Sequence, residues 1–174
     1  MAHILADIVS LMQYKNLEKQ EYRLNYCLCC GKAKPYFHGH YPRKTDRSAS
    51  GQLNPILIQR YYCPACKKTC SMLPECISPH RWYLWEIQQT ALMMILSGHS
   101  IRAIAKKIMP SRRTIARWMA RFLDQFRMHK DALCNHIADL GRTIEFTDFW
   151  TICLETMSLS KAMHICHVAG GIVP

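Results

Sequence analysis

Two Cys-x-x-Cys pairs, Cys27-Leu28-Cys29-Cys30 and Cys63-Pro64-Ala65-Cys66, restrict this chain more than any other feature. Each such turn presents two thiolates to one ion, and zinc takes four soft ligands in a tetrahedron. The pairs therefore predict one structural Zn2+ held by Cys27, Cys30, Cys63 and Cys66. Gly31, directly after Cys30, permits the tight knuckle turn in which backbone amides point at sulfur. Cys29 competes with Cys27 for the register, but Cys27 with Cys30 keeps the required spacing. The 32 residues between the pairs exceed the roughly 15–20 of the common pattern, and a turn-rich insert at 44–54, with Asp46, Ser48, Ser50 and Gly51, absorbs the surplus. Buried free thiols and a redox pair are the alternatives. Two pairs flanking strands suit a closed metal site better than a redox one.

Hydrophobic periodicity supplies the frame around these cysteines. Ile4, Leu5, Ile8, Leu11 and Met12 recur at helical spacing and predict an amphipathic helix over 2–17. Tyr36–Arg43 and Ile56–Tyr62 read as strands, with a third short strand at 67–73. From Ser78 the pattern turns helical: Ser78 fits an N-cap, Pro79 the first helical position, and Trp82, Trp85, Leu92 and Leu96 one face, with Gly98 as the stop. A short helix at 101–108 follows, then Met109-Pro110, then a helix capped by Ser111 and running to about 127. Weaker helical segments lie at about 148–157 and 159–168, before Gly170-Gly171 and Pro174. The expected organisation is an N-terminal helix (1–26), a zinc ribbon (27–77), a DNA-binding helical domain (78–127) and a helical tail (128–174). That is an α+β chain, mostly α, with a small zinc β-ribbon inserted between an N-terminal helix and a helical domain containing a helix-turn-helix.

Charge singles out one stretch. The formal net charge is +11, and residues 100–130 alone carry nine Lys and Arg against one acid, Asp124. Such density is the electrostatic footprint of a nucleic-acid binder, although a solvated helical face also carries charge runs. Within the stretch, Ile101, Ile104, Ala105 and Ile108 form one inner face, and Ile115, Trp118, Met119 and Phe122 form the next. Outward on the second helix lie Arg112, Arg113, Ala116, Arg117 and Arg121. A helix of that kind in a major groove directs arginines to guanine edges and phosphates, with Ser111 and Thr114 near the backbone. Arg102, Lys106 and Lys107 on the first helix add phosphate contacts.

The segment from Ser100 to Trp118 resembles the helix-turn-helix of resolvases, transposases and small bacterial regulators. Ile104, Ala105, Ile108, Ser111, Thr114, Ile115 and Trp118 match the common pattern. Met109 departs from it where a turn glycine is usual, and Pro110 where an apolar residue is usual. Residues 60–74 and 79–83 resemble the zinc-ribbon modules that precede helix-turn-helix segments in insertion-sequence transposases and their short accessory and regulatory proteins. The resemblance runs from about Cys27 to Phe122. It implies double-stranded DNA as ligand and a place in transposition, DNA recombination or transcription regulation.

Catalysis is not expected. Only 52 residues follow Phe122, too few for a ribonuclease-H-like domain with its metal-binding carboxylates, and Asp148 reads as a helix-dipole complement. No Gly-rich phosphate loop occurs. Phe146, Phe149, Trp150, Ile152, Cys153 and Leu154 predict a tail that packs as core or forms a homodimer interface. Cys70, Cys76 and His80 match no usual knuckle, and Cys134, His136, His164, Cys166 and His167 read as packed side chains. His38 and His40 read as exposed or facing nucleic acid. The N-terminus lacks a basic leader and no run reaches the roughly 18 apolar residues of a membrane span. A bacterial cytoplasmic, nucleoid-associated protein is the expectation. The leading reading is a zinc-dependent, sequence-specific duplex DNA-binding protein without catalysis, serving a mobile element. The alternatives are an adaptor docking a recombinase or transposase, and an RNA-binding zinc-ribbon protein whose Tyr36, Phe37, Tyr41, Tyr61 and Tyr62 interleave with basic residues.

Overall fold

The computed structural model describes residues 2–18, 22–32, 34–45, 51–77, 83–170 and 173. The expected N-cap Ser78, with Pro79, His80 and Trp82, lies outside the described residues, as do Asp46, Ser48 and Ser50 of the insert and Gly171 and Pro174 of the tail. Contacts divide the chain into two compact units, Met1–Leu84 and Trp85–Pro174. The chain is thus mixed α and β.

The first unit is a four-stranded sheet. Its strands are β1 (Ala2–Leu5), β2 (Tyr36–Arg43), β3 (Ile56–Tyr62) and β4 (Thr69–Pro74), ordered β1-β4-β3-β2. β2 and β3 pair antiparallel, as do β3 and β4, whereas β1 runs parallel to β4. β2 and β3 keep the bounds that their β-branched and aromatic residues predict. The N-terminal segment does not form the expected helix over 2–17. Its first residues form β1, and only α1 (Leu11–Asn16) is helical, capped by Ser10. The physical reason is a partner about 70 residues away: β4 offers free backbone groups, His3 registers with Met72 and Ile4 with Leu73, and sheet pairing outweighs a weak local helical preference.

α1 and the segments around it pack on this sheet. Tyr14, Tyr22, Ile56, Ile58, Tyr61, Met72, Leu73 and Ile77 form the core. Tyr14 is its fastening. Its hydroxyl donates to the Met72 carbonyl at 2.7 Å and accepts from the Gln59 amide at 3.0 Å, tying α1 to two strands. Its ring meets Tyr22 edge-on at 4.8 Å, and the Tyr22 hydroxyl donates to the Tyr14 carbonyl. Burial pushes the Tyr14 phenol well above its ordinary value.

The second unit is helical: α2 (Trp85–Leu96), α3 (Ile101–Lys107), α4 (Arg112–Asp124), α5 (Phe126–Cys134), a 3-10 turn (Ala138–Arg142), α6 (Phe146–Thr156) and α7 (Leu159–Val168). Gly98, at φ +81°, ends α2 in the left-handed region, as a C-terminal glycine does. The helix expected to run to about 127 breaks instead at Gln125, whose amide bonds back to the Arg121 carbonyl. The break lets α5 turn its own apolar face inward: Phe126 stacks edge-on to Phe146 and Phe149, and the buried His129 lies against Phe122 and Trp150. Phe149, Trp150 and Cys153 of the tail are fully buried, and Trp150 sits 5.2 Å from the Phe122 ring of α4. The tail is therefore core, and it fixes α4 from behind.

Tyr14→Phe removes the hydroxyl and leaves the Gln59 amide and Met72 carbonyl without their bridge, so it should destabilise the first unit by about 1–3 kcal/mol, read by chemical denaturation. Because the buried phenol stays protonated while the unfolded one ionises, the wild-type advantage should be complete below about pH 10 and decline as pH rises from there toward the raised folded-state value.

Candidate functional site

The four cysteines converge. Sγ of Cys27 lies 3.6 Å from Sγ of Cys66, and Sγ of Cys30 lies 3.7 Å from Sγ of Cys63. All four sulfurs fall within 4.8 Å of one another. A tetrahedral zinc with bonds of about 2.3 Å separates its sulfurs by about 3.8 Å, so the cluster has the size that this ion needs. These side chains can hold one metal ion, and the donor set fits zinc. Among the described residues no other group of three or more metal-ligating side chains converges. Cys70 and Cys76 instead pack against the core of the sheet unit, and His80 lies outside the described residues.

Both knuckles place a residue of positive φ directly after their second cysteine. The Gly31 amide donates to the Cys27 carbonyl at 2.7 Å with Gly31 at φ +68°, and the Cys29 amide points at Cys27 Sγ from 3.4 Å. Lys67 takes the corresponding place after Cys66, with φ +56°, and the Cys63 amide bonds the Lys68 carbonyl at 2.9 Å. A non-glycine residue in that region is strained by roughly 1–2 kcal/mol. No glycine marks this second turn, so sequence inspection passes over Lys67. The same geometry resolves the register. Cys29 points away from the cluster and receives a hydrogen bond from Lys68 Nζ at 3.2 Å.

The amides of Cys30 and Cys29 hold the Cys27 thiol below its ordinary value, while burial pushes the Cys66 thiol up.

The basic residues of the second unit form a separate surface. Arg102, Lys106 and Lys107 on α3, and Ser111, Arg112, Arg113 and Arg117 at or on α4, are exposed, and Arg121 is half-buried. Among the described residues none of these cations forms an ion pair; the salt bridge between Arg142 and Asp139 lies elsewhere. Ile104, Ile115, Trp118 and Phe122 are buried on the opposite faces. Ser100 caps α3 through the Ala103 amide, and Ser111 caps α4 through the Thr114 amide. Thr114 is placed differently from expectation. It is buried, and its hydroxyl is 3.1 Å from that of Ser111, so it braces the start of α4 from inside rather than facing outward. Pro110 is buried and Met109 exposed between the two helices.

A family profile described as a domain of unknown function, DUF6431, matches residues 27–118. The chain belongs to the DUF6431 family. The matched span begins at the first cysteine of the cluster and ends at Trp118, so the DUF6431 region contains all four cysteines, α3 and the first half of α4. No curated protein and no solved structure matches the chain. Among the described residues no helix is long and apolar enough to cross a membrane.

Chelation of bound metal should lower the unfolding midpoint of the sheet unit and leave the helical unit's circular dichroism in place. Because the metal must displace thiol protons, affinity should fall as pH is lowered from about 8 to about 5.5, measured by competition with a chromophoric chelator. Lys67→Gly should raise that unfolding midpoint and Lys67→Val should lower it, since only glycine accepts positive φ without strain.

Proposed function

We propose that this DUF6431 protein is a zinc-dependent, sequence-specific binder of double-stranded DNA without catalytic activity, acting as a regulator or end-binding accessory of a mobile element. In this reading α3, the turn at 108–111 and α4 form a helix-turn-helix, with α4 as the recognition helix. The cysteine cluster holds a structural zinc that closes a ribbon.

One observation carries the reading. α4 begins with Arg112 and Arg113, and no acid stands in its first turn. A helix N-terminus is electropositive, and a cation there costs about 0.3–1 kcal/mol. Two exposed, unpaired arginines at that end oppose the helix's own stability and suit a ligand that brings negative charge. A phosphate backbone does so, and the groove beside it offers guanine edges to the same arginines. Arg117 continues the face one turn further. Arg102, Lys106 and Lys107 on α3 then serve as phosphate contacts. Ile104, Ile115, Trp118 and Phe122, with Trp150 behind them, keep the exposed face in a fixed orientation. A homodimer placing two copies of α4 on successive half-sites, or assembly with a transposase or recombinase, fits the same role.

The helix-end argument makes a paired prediction. Arg112→Glu should stabilise the helical unit by about 0.3–1 kcal/mol while weakening duplex binding. Arg113→Ala should cost about 1–3 kcal/mol of specific binding and relax the sequence preference at one position. The decisive measurement is selection of bound duplexes from a random pool by the zinc-loaded chain. Enrichment of one motif supports the reading, and an inverted repeat adds the dimer. Salt-sensitive binding without enrichment overturns it.

A further inference from the structure

β3 and β4 pair in regular register over Arg60–Ser71, Tyr61–Cys70 and Tyr62–Thr69. Arg60 and Tyr62 flank the buried Tyr61 and are themselves only half-buried. The half-buried Tyr62 ring has two aromatic neighbours on β2. Tyr36 lies 5.4 Å away and His38 5.5 Å away, the latter inclined by only 34°. Tyr36 is 46% exposed, and His38 is exposed as well. β2 is the edge of the sheet. The register shift between Phe37 and His40 sets His38 and Gly39 of β2 opposite Arg60 alone. Rings that serve packing normally enter a core, but these three lie outside the buried cluster.

We infer that Tyr36, Tyr62 and His38 form a stacking platform for the bases of single-stranded nucleic acid, with Arg60 beside them. Flat, partly exposed rings accept any base, because every base has a π-face, and cations along the strand follow the phosphates. The charge complements that ligand: residues 27–77 hold eight Lys and Arg against Asp46 and Glu75. The platform lies entirely within the sheet unit and does not depend on the role given to α4. It would let the protein hold an unpaired strand, in DNA or RNA, separately from a duplex.

The test is fluorescence anisotropy with labelled twelve-residue oligothymidylate and oligouridylate, using the zinc-loaded full chain at near-physiological salt. Wild type should bind at least one of them, the tighter one identifying the preferred sugar. Tyr62→Ala and Tyr36→Ala should each weaken that binding by about five- to a hundredfold, with zinc content per chain unchanged. Tyr36→Phe, which keeps the ring, should stay within about twofold of wild type, and so should Arg113→Ala, which tests the duplex surface instead. Tyr62 adjoins Cys63, so Tyr36→Ala decides the matter if Tyr62→Ala loses zinc. Absence of binding to both oligomers overturns the inference. So does unchanged affinity in zinc-replete Tyr36→Ala, and the face would then be one for a protein partner.

Discussion

Four sulfurs drawn into one cluster are the constraint on which the sheet unit rests. The two knuckles lie at the outer ends of the β2–β3 pair, Cys30 six residues before Tyr36 and Cys63 directly after Tyr62. Bringing them together closes the intervening chain into a hairpin whose register places Tyr36 opposite Tyr62. A domain of this size buries a limited core. The eight-residue cluster around Tyr14 packs on the sheet, and a metal ion held by the four cysteines would add a clip to what the core supplies. The strained turn at Lys67 is tolerated on the same ground, since ligand geometry dictates the backbone there and the local residue follows.

The helical unit follows a different logic. Its stability comes from interlocked aromatic rings: Phe122 of α4, Phe126 and His129 of α5, and Phe146, Phe149 and Trp150 of α6. This core holds α4 by one face, and the opposite face carries arginines that form no ion pair among the described residues. A helix whose first turn is electrostatically unfavourable persists because burial of Ile115, Trp118 and Phe122 outweighs the cost. Local rules broken where the global packing is sound are the usual mark of a surface shaped for a ligand. The same core explains the tail, whose Phe149 and Trp150 are buried among the rings of α4 and α5.

The proposed roles divide between the units along chemical lines. Guanidinium groups at a helix end suit phosphates and guanine edges, whereas the tyrosine and histidine rings of β2 and β3 suit unpaired bases. A protein with both surfaces would engage duplex and single strand by separate means, and each surface can be disabled without touching the other.

Short-range features were legible in the sequence because short-range physics decides them. The cysteine spacing identified the four sulfurs that converge. The β-branched and aromatic runs marked β2 and β3. Ser100 and Ser111 announced their caps, and steps of three and four residues separated Ile115, Trp118 and Phe122 from Arg112, Arg113 and Arg117. What depended on distant partners was not legible. Residues 2–5 form a strand only because β4, about 70 positions on, presents a free edge. Gln125 breaks a helix only because Phe126 and His129 find rings on other helices. Thr114 turns inward because Ser111 and the neighbouring core claim it. Lys67 adopts positive φ because a metal-sized cluster demands it, and Tyr62 gains its two aromatic neighbours only through the register of an edge strand. Periodicity and spacing record what a residue can do beside its neighbours in sequence. Which partner it meets across the fold is decided by tertiary packing and by backbone hydrogen bonds, which carry no side-chain signature.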